Sequence, residues 1–182
     1  MGDARLAYLG AMKRLVLTVI GTDRPGLVDR LAAAIAGADG NWHQSHMARL
    51  AGHFAGIVEV TIDRAHEGAL RDALGAIDDL AIGVTETDAE PSSETPRVAR
   101  LTFQGQDRPG LVKAISRVLA QAGVNVDELE TRTVPSPETG VPLFEAEAEV
   151  HLPEHLDVAA LRMDLEAVAR DLMVEVELAA AM

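Results

Sequence analysis

The chain has 182 residues, no cysteine, and 29 acidic against 16 basic side chains, for a formal net charge of −13 at pH 7. The length accommodates one medium domain or two small ones, and the lack of cysteine excludes disulfides, thiolate zinc sites and cysteine nucleophiles. The acidic balance argues against direct nucleic-acid binding, which needs clustered Lys and Arg.

The location of the protein is predicted from the same features. The longest apolar runs, such as residues 15–20, are too short to span a bilayer, so no membrane association is expected. A cysteine-free chain of this kind is expected in the reducing cytoplasm. Residues 1–12 are expected to form a loosely ordered leader, and Met12 is a second candidate for the translation start.

The spacing of apolar residues changes several times along the first half of the chain. Apolar residues fill 15–20, which predicts a buried strand, and after the phrase GTDRPGLV they recur at helical spacing. The stretches 41–49 and 54–62 predict two further strands, an apolar stripe within 66–80 predicts a second helix, and 81–87 predicts a fourth strand. The two helical stripes consist of Leu27, Leu31, Ala34, Ile35 and Ala38, then Leu70, Ala73, Leu74 and Ile77.

The second half repeats this order. GTDRPGLV at 21–28 returns as GQDRPGLV at 105–112, and the same spacing carries Asn41 onto Asn125. Matching segments follow at 124–134, 144–152, 158–172 and 173–178, with about six extra residues in TVPSPETGVPLF. Between the halves, DAEPSSETPR has the composition of a linker. We therefore predict domains at 13–88 and 97–180, joined by a linker at 89–96.

Each half has the order β-α-β-β-α-β. This order predicts an α+β fold of two tandem ferredoxin-like units, each a four-stranded antiparallel sheet with two helices on one face. The other sheet face is predicted to differ between the halves. It is apolar in the first and polar in the second, at Val16, Thr18, Ile20 and Ile57 against Arg100, Thr102, Gln104 and Glu147. An apolar open face predicts an association surface, and hence a homodimer.

The repeated Asp-Arg-Pro-Gly turn has two interpretations. In the structural one, Pro occupies the first helical turn, Asp caps the helix, and Gly allows close backbone approach. In the functional one, main-chain N–H groups at the helix start hold a carboxylate and the Asp holds an ammonium, a combination that fits a free amino acid. The residues alone leave both open.

The phrase DRPGLV followed by AGVNV, after an apolar strand, resembles the ACT domain, a small regulatory module that binds amino acids. The resemblance covers nearly the whole chain as two units. It implies an amino-acid site between the loop and the second strand of a partner unit, and no catalytic residues or cofactor. The candidate ligand residues are Asp23, Gly26, Leu27 and Asn41 in the first unit, and Asp107, Gly110, Leu111 and Asn125 in the second. The first set is favoured because its surroundings are more apolar. Gly21 and Gly105 stand where serine-binding members have a loop His.

The tandem arrangement and the segment VPSPETGVPLFEAEAEVHLP further resemble the glycine cleavage repressors. That resemblance implies a non-enzymatic regulator that contacts a transcriptional activator, with glycine or a similar small amino acid influencing the contact. Two alternatives remain: a regulatory module that controls a metabolic enzyme, and a structural pair of modules without ligand. The six His residues lack the spacing of a metal site, since His43 and His46 should point to opposite faces of their strand.

Overall fold

The computed structural model describes residues 12–88, 97–137 and 139–180. The predicted leader at 1–12, apart from Met12, and the predicted linker at 89–96 lie outside these ranges. The chain divides into two compact units between Pro91 and Ser92.

The first unit contains four strands and two helices. They are β1 (Met12–Thr22), α1 (Leu27–Gly37), β2 (Asn41–Leu50), β3 (His53–Asp63), α2 (Glu67–Gly75) and β4 (Leu80–Glu86), with a 3-10 turn at Arg64–His66 that was not predicted. The sheet order is β2-β3-β1-β4 and every pair is antiparallel. This is the predicted ferredoxin-like topology.

The second unit repeats it. Its elements are β5 (Val98–Gln106), α3 (Leu111–Gln121), β6 (Asn125–Pro135), β7 (Pro142–His151), α4 (Val158–Leu172) and β8 (Val174–Ala180). The order β6-β7-β5-β8 is the same, again with antiparallel pairs. The fold-class prediction is confirmed for both halves.

Each unit has its own core between the sheet and the helices. In the first unit, alternate residues of β1 and the apolar stripe of α1 are buried together, including Leu15, Leu17, Leu31 and Ile35. In the second, Leu101, Ile115 and Leu165 lie in the corresponding core. Residues are therefore buried at the same helical and two-residue spacings that predicted the helices and strands. Within the described ranges, none of the helices combines the length and apolar character needed to cross a membrane.

The sheet face opposite the helices differs between the units, as predicted. In the first unit Thr18 pairs with Ile57 and Ile20 pairs with Ala55, and both isoleucines are about half exposed, at 53% and 51%. In the second unit the matching positions are polar, since Thr102 pairs with Glu147 and Gln104 pairs with Glu145. Glutamates of that face are Glu128, Glu130, Glu145, Glu147, Glu149, Glu175 and Glu177.

Two arginines partly offset these carboxylates. Arg100 Nη1 lies 3.0 Å from Glu147 Oε1, and Arg132 Nε lies 2.6 Å from Glu145 Oε2. The hydrogen bond that Arg132 donates to Glu145 raises the pKa of the Arg132 guanidinium. The open face of the second sheet is thus acidic, whereas that of the first exposes Ile20 and Ile57 beside the polar side chains of Thr18 and His46.

Candidate functional site

The loop from β1 to α1 has the same backbone in both units. Gly26 at the helix start has φ 91° and ψ 2°, and Gly110 has φ 98° and ψ −2°. These left-handed values favour glycine, because a Cβ would crowd the neighbouring carbonyl. The helices begin one residue later, at Leu27 and Leu111, so the repeated turn is a specific backbone shape.

Three structural expectations for this turn were wrong. Pro25 precedes the glycine N-cap and so lies before the first helical turn, and neither α1 nor α3 has a side-chain cap hydrogen bond. Asp23 is therefore not the helix cap. Close approach is also not the reason for the loop glycine, since a Cβ on Gly26 would meet nothing within 4 Å.

The loop lies beside the tip of the hairpin that follows β2 or β6. The backbone N–H of Asp23 donates to the carbonyl of Gly52 at 2.9 Å, and that of Asp107 donates to the carbonyl of Pro142 at 3.0 Å. Gly21 packs so tightly on β4 that a Cβ would overlap the backbone oxygen of Asp79. These backbone contacts fix where the loop side chains start.

In the first unit, both loop charges are neutralised by residues of the same unit. Asp23 Oδ2 lies 2.7 Å from Arg49 Nε at the end of β2. Asp79, just before β4, forms ion pairs with both Arg24 and Arg30, and Arg30 Nη1 donates to Asp79 Oδ1 at 2.9 Å. The Asp79 side chain is only 14% exposed. The first loop is therefore held in place by ion pairs within its own unit.

In the second unit these partners are missing. Arg108, the counterpart of Arg24, has its Nε and Nη2 atoms buried without a hydrogen-bond partner. Asp107, the counterpart of Asp23, is exposed, and within the described ranges its carboxylate forms no ion pair. The two loops share a backbone but present different charges.

The register explains the difference. Arg49 pairs with Phe54, and the equivalent pair in the second sheet is Thr133 with Phe144. Gly21 pairs with Leu80 after Asp79, whereas Gly105 pairs with Val174 after Met173. Thr133 and Met173 thus replace the two charged partners of the first loop.

The predicted asparagines lie away from the loop of their own unit. Asn41 pairs with Thr61, which pairs with Arg14, eight residues along β1 from Thr22 at the loop end. Eight strand residues span about 26 Å. Asn125 likewise starts β6 at the end opposite its loop. Neither asparagine can therefore join a site at the loop of its own unit.

Both asparagine side chains also have local partners across a β-bulge. Asn41 Nδ2 lies 3.3 Å from His43 Nε2, and Asn125 Nδ2 donates to Asp127 Oδ1 at 2.6 Å. The register shifts at His43 and at Asp127. An approaching ligand would compete with these short-range hydrogen bonds.

The bulge overturns one further expectation. His43 Nε2 lies 2.8 Å from Thr61 Oγ1 on the open sheet face, where His46 also lies opposite Ile57. The extra residue rotates the strand, so the two histidines share a face. Even so, no group of three or more His, Asp or Glu residues suited to a metal ion occurs in the described part of the chain.

An open depression of about 620 Å³ adjoins the first loop. Asp23 is the one residue of the predicted set that lines it. The complete lining is Ile20, Gly21, Thr22, Asp23, Arg24, His53, Asp78 and Asp79. Arg24 and Asp79 line this depression but were not predicted as site residues. Arg24 and its counterpart Arg108 belong to the repeated DRPG phrase, so the repeat could have identified them.

Both units of the chain are similar in sequence to known proteins. The sequence profiles of the ACT domain match residues 13–82 and 99–169. Over 167 residues the chain is 25% identical to the glycine cleavage system transcriptional repressors of Escherichia coli K12 and Shigella flexneri, covering 90% of this chain and 88% of each relative.

Solved structures give the same architecture. A crystal structure of an unknown protein from Galdieria sulphuraria is 30% identical, with a TM-score of 0.83 over 94% of this chain and 99% of that one. Another, provisionally assigned as a glycine cleavage system transcriptional repressor, is 18% identical with a TM-score of 0.69 over 92% and 96%, and shows the fold alone. The chain belongs to the ACT domain family and carries two ACT domains in tandem.

Proposed function

We propose that the chain is a non-catalytic regulatory protein in which a small amino acid, glycine or a close relative, alters contact with a transcriptional activator. The observation that carries this proposal is that two ACT domains account for most of the chain, and that the chain aligns over nearly its whole length with repressors of the glycine cleavage system. These relatives are transcriptional repressors, and the similarity extends over 88% of their length.

The proposed ligand residues lie at the helix starts and the second strands. Main-chain N–H groups at Gly26, Leu27, Gly110 and Leu111 would face a carboxylate, and Asp23 or Asp107 would face an ammonium. Asn41 and Asn125 would contribute from a different unit, because each lies at the far end of its own sheet. This requirement couples ligand binding to the contact between units.

Regulation requires that the ligand bind two arrangements of the protein with different affinity. A site completed by a second unit meets this condition, because the ligand stabilises only the arrangement that brings both units together. The apolar open face of the first sheet, with Ile20 and Ile57 half exposed, fits a second copy of the chain as the partner unit.

The proposal is tested by affinity capture with the full chain immobilised and extract from its own organism. Capture is run without addition, with saturating glycine, and with saturating leucine as a bulky control. A transcriptional activator whose recovery changes with glycine and not with leucine would support the proposal. Capture of a metabolic enzyme would favour the enzyme-controlling alternative, and capture that no amino acid changes would leave the structural pair.

A further inference from the structure

Four strands lie at the edges of the two sheets, and β8 is the one best suited to pair with a further strand. The edge strands β2 and β6 each contain a β-bulge, at His43 and at Asp127, and a bulge interrupts edge pairing. The register of β4 and of β8 is unbroken, but β4 has Gly83 at its centre, which weakens a strand. β8 therefore presents the most regular edge of the four.

The register shows which main-chain groups of β8 point outward. In the first sheet, the N–H of Thr87 donates to the carbonyl of Arg14 at 3.0 Å, so Thr87 belongs to a hydrogen-bonded pair. Bonded and non-bonded pairs alternate along an antiparallel ladder, so Val84, three residues earlier, belongs to a non-bonded pair. Leu178 holds the equivalent position in β8. The N–H and the carbonyl of Leu178 therefore point away from β5.

An arginine covers this point of the edge. Arg162 of α4 donates from Nη2 to the carbonyl of Leu178 at 2.8 Å. A side chain thus occupies an acceptor that an added strand would use, which is one way of protecting an edge strand. Because the cover is a single hydrogen bond, an incoming main-chain N–H can take its place.

A groove of about 230 Å³ lies beside Arg162 and is lined by residues of α4 and β8. Its lining includes the apolar side chains of Leu165 and Val176. Successive side chains of a strand point to opposite faces of the sheet, so Val176 lies on the helix side and Glu175 and Glu177 lie on the open face. A strand laid along β8 would place alternate side chains at the groove and the others over the open face.

The side chains that such a strand would meet on the open face are acidic. Glu175 and Glu177 are exposed, and within the described ranges neither forms an ion pair. Farther across the same face, Glu128 lies directly opposite Glu149, and like charges in this position destabilise a sheet. The face therefore favours a cationic partner, and Glu175 and Glu177 are the carboxylates nearest to a strand added at β8.

We propose that the edge of β8 is a docking surface for an extended segment of a partner protein in which Lys or Arg alternates with apolar residues. The segment adds to the second sheet beside β8 and replaces the hydrogen bond of Arg162. Its basic side chains lie against Glu175 and Glu177, and its apolar side chains enter the groove at Val176. This inference rests on the proposed function, because it names the surface through which the second domain contacts its protein partner.

Fluorescence anisotropy with the full chain in low-salt buffer tests the proposal with three labelled nine-residue peptides. The first alternates Lys with Val, the second has the same composition with its lysines in one block, and the third is the first peptide with every main-chain amide N-methylated. The alternating peptide should bind, and the other two should bind about tenfold more weakly or worse. Equal binding of all three would show undirected charge attraction and overturn strand addition.

Two double variants locate the peptide on the sheet. Glu175→Gln combined with Glu177→Gln should weaken binding of the alternating peptide by about fivefold to tenfold. Glu128→Gln combined with Glu130→Gln removes the same charge from the same face at the opposite edge, and should change binding by less than about twofold. Equal effects of the two double variants would exclude β8 as the docking edge.

Two single variants test pairing with the β8 backbone. Val176→Pro removes an outward N–H, because residue 176 has the same orientation as Leu178, and should abolish binding while circular dichroism shows the fold retained. Arg162→Met removes both the competitor for the Leu178 carbonyl and a repelling cation, and should tighten binding by about twofold to fivefold. Should Val176→Pro fail to fold, Arg162→Met decides the point, and weaker binding in that variant would overturn the proposal.

The outcomes separate this surface from the proposed function. If Val176→Pro captures a transcriptional activator with the same glycine dependence as wild type, the proposed function stands and β8 is not the docking surface. If the alternating peptide binds at β8 and no activator is captured, the surface stands and the proposed function fails. A dimer that Val176→Pro dissociates in sedimentation equilibrium would assign the edge to a second copy of the chain and overturn the proposal.

Discussion

Lys13 Nζ lies 2.8 Å from Oε2 of Glu67, an ion pair that joins the start of β1 to the first turn of α2. The same ammonium lies 2.8 Å from Glu86 Oε2 at the end of β4. The hydrogen bonds that Lys13 donates to Glu67 and then to Glu86 raise the pKa of Lys13, and the hydrogen bonds that Glu67 accepts from Lys13 and then from Arg71 lower the pKa of Glu67. Three elements of the first unit therefore share one charge cluster.

This cluster predicts how stability depends on pH. Because the pKa of Glu67 is lower in the folded state, the Glu67 carboxylate stabilises the fold at pH values above its ordinary pKa of 4.5. This stabilisation is lost as the pH falls through the pKa of the folded state. The raised pKa of Lys13 acts oppositely, with a contribution lost only as pH rises above 10.5. Glu67→Gln should melt below wild type at neutral pH, and the gap should close in acid. Glu154→Gln, exposed in the second unit, is the control, and a gap that persists at low pH would contradict the assignment.

The helix-start glycines predict a conformational cost. Gly26→Ala and Gly110→Ala should each destabilise the protein by about 1 kcal/mol, because alanine is strained at positive φ. Gly37→Ala, at the end of α1 where a Cβ meets nothing within 4 Å, should be neutral or stabilising by up to about 1 kcal/mol. Urea unfolding measures the change in unfolding free energy for each variant. Equal effects of Gly26→Ala and Gly37→Ala would refute the backbone explanation.

Asp79 is expected to hold the first loop in place. Asp79→Ala leaves Arg24 and Arg30 side by side without their shared carboxylate, and should cost about 1 kcal/mol of unfolding free energy, more at low ionic strength. Asp78→Ala, at the exposed neighbouring residue, should have little effect. A loss that does not change with salt would show that the pairing is not electrostatic in origin.

Asp107 and Asp23 should differ in ligand binding. Asp107→Asn is expected to weaken glycine binding by about 1–3 kcal/mol through loss of a charged hydrogen bond. Asp23→Asn should leave it unchanged, since Arg49 already occupies that carboxylate. Calorimetry on both variants decides the point, and a larger effect of Asp23→Asn would assign the site to the first loop.

The open face of the first sheet predicts self-association. Ile20→Glu places a charge on that apolar face and should shift sedimentation equilibrium from dimer to monomer. Gln104→Glu is the matched control, because Gln104 occupies the same strand position on the already acidic face of the second sheet. A dimer that survives Ile20→Glu would exclude this face as the interface.

The bounds of the elements were predictable to within a few residues. The stretch 158–172 predicted a helix that begins and ends where α4 does, and the repeat predicted a second copy of the fold. Periods of two and 3.6 residues are local, and each buried stripe in α1 and β1 follows from its own sequence. The 3-10 turn at Arg64–His66 and the bulge at His43 were not predicted, because a one-residue irregularity leaves the apolar period on both sides intact.

The candidate site was predicted less well. The duplicated loop predicted one backbone shape repeated in both units, and the structure has it at Gly26 and Gly110. The ligand residues themselves stay a prediction, in which the first unit was favoured for its apolar surroundings. The start of β2 lies at the far end of the sheet from Asp23, because β2 runs in the same direction as β1 with β3 between them.

The sequence by itself determined that this protein is two copies of one α+β unit with a glycine turn before each first helix, because those features depend on neighbouring residues. Only the tertiary structure decided which loop has its charged side chains paired within its own unit. The pairs Asp23–Arg49 and Arg24–Asp79 join residues that are distant in the chain and meet through strand register. Thr133 and Met173 cannot form these pairs, so two loops with the same Asp-Arg-Pro-Gly sequence differ in their ion pairs.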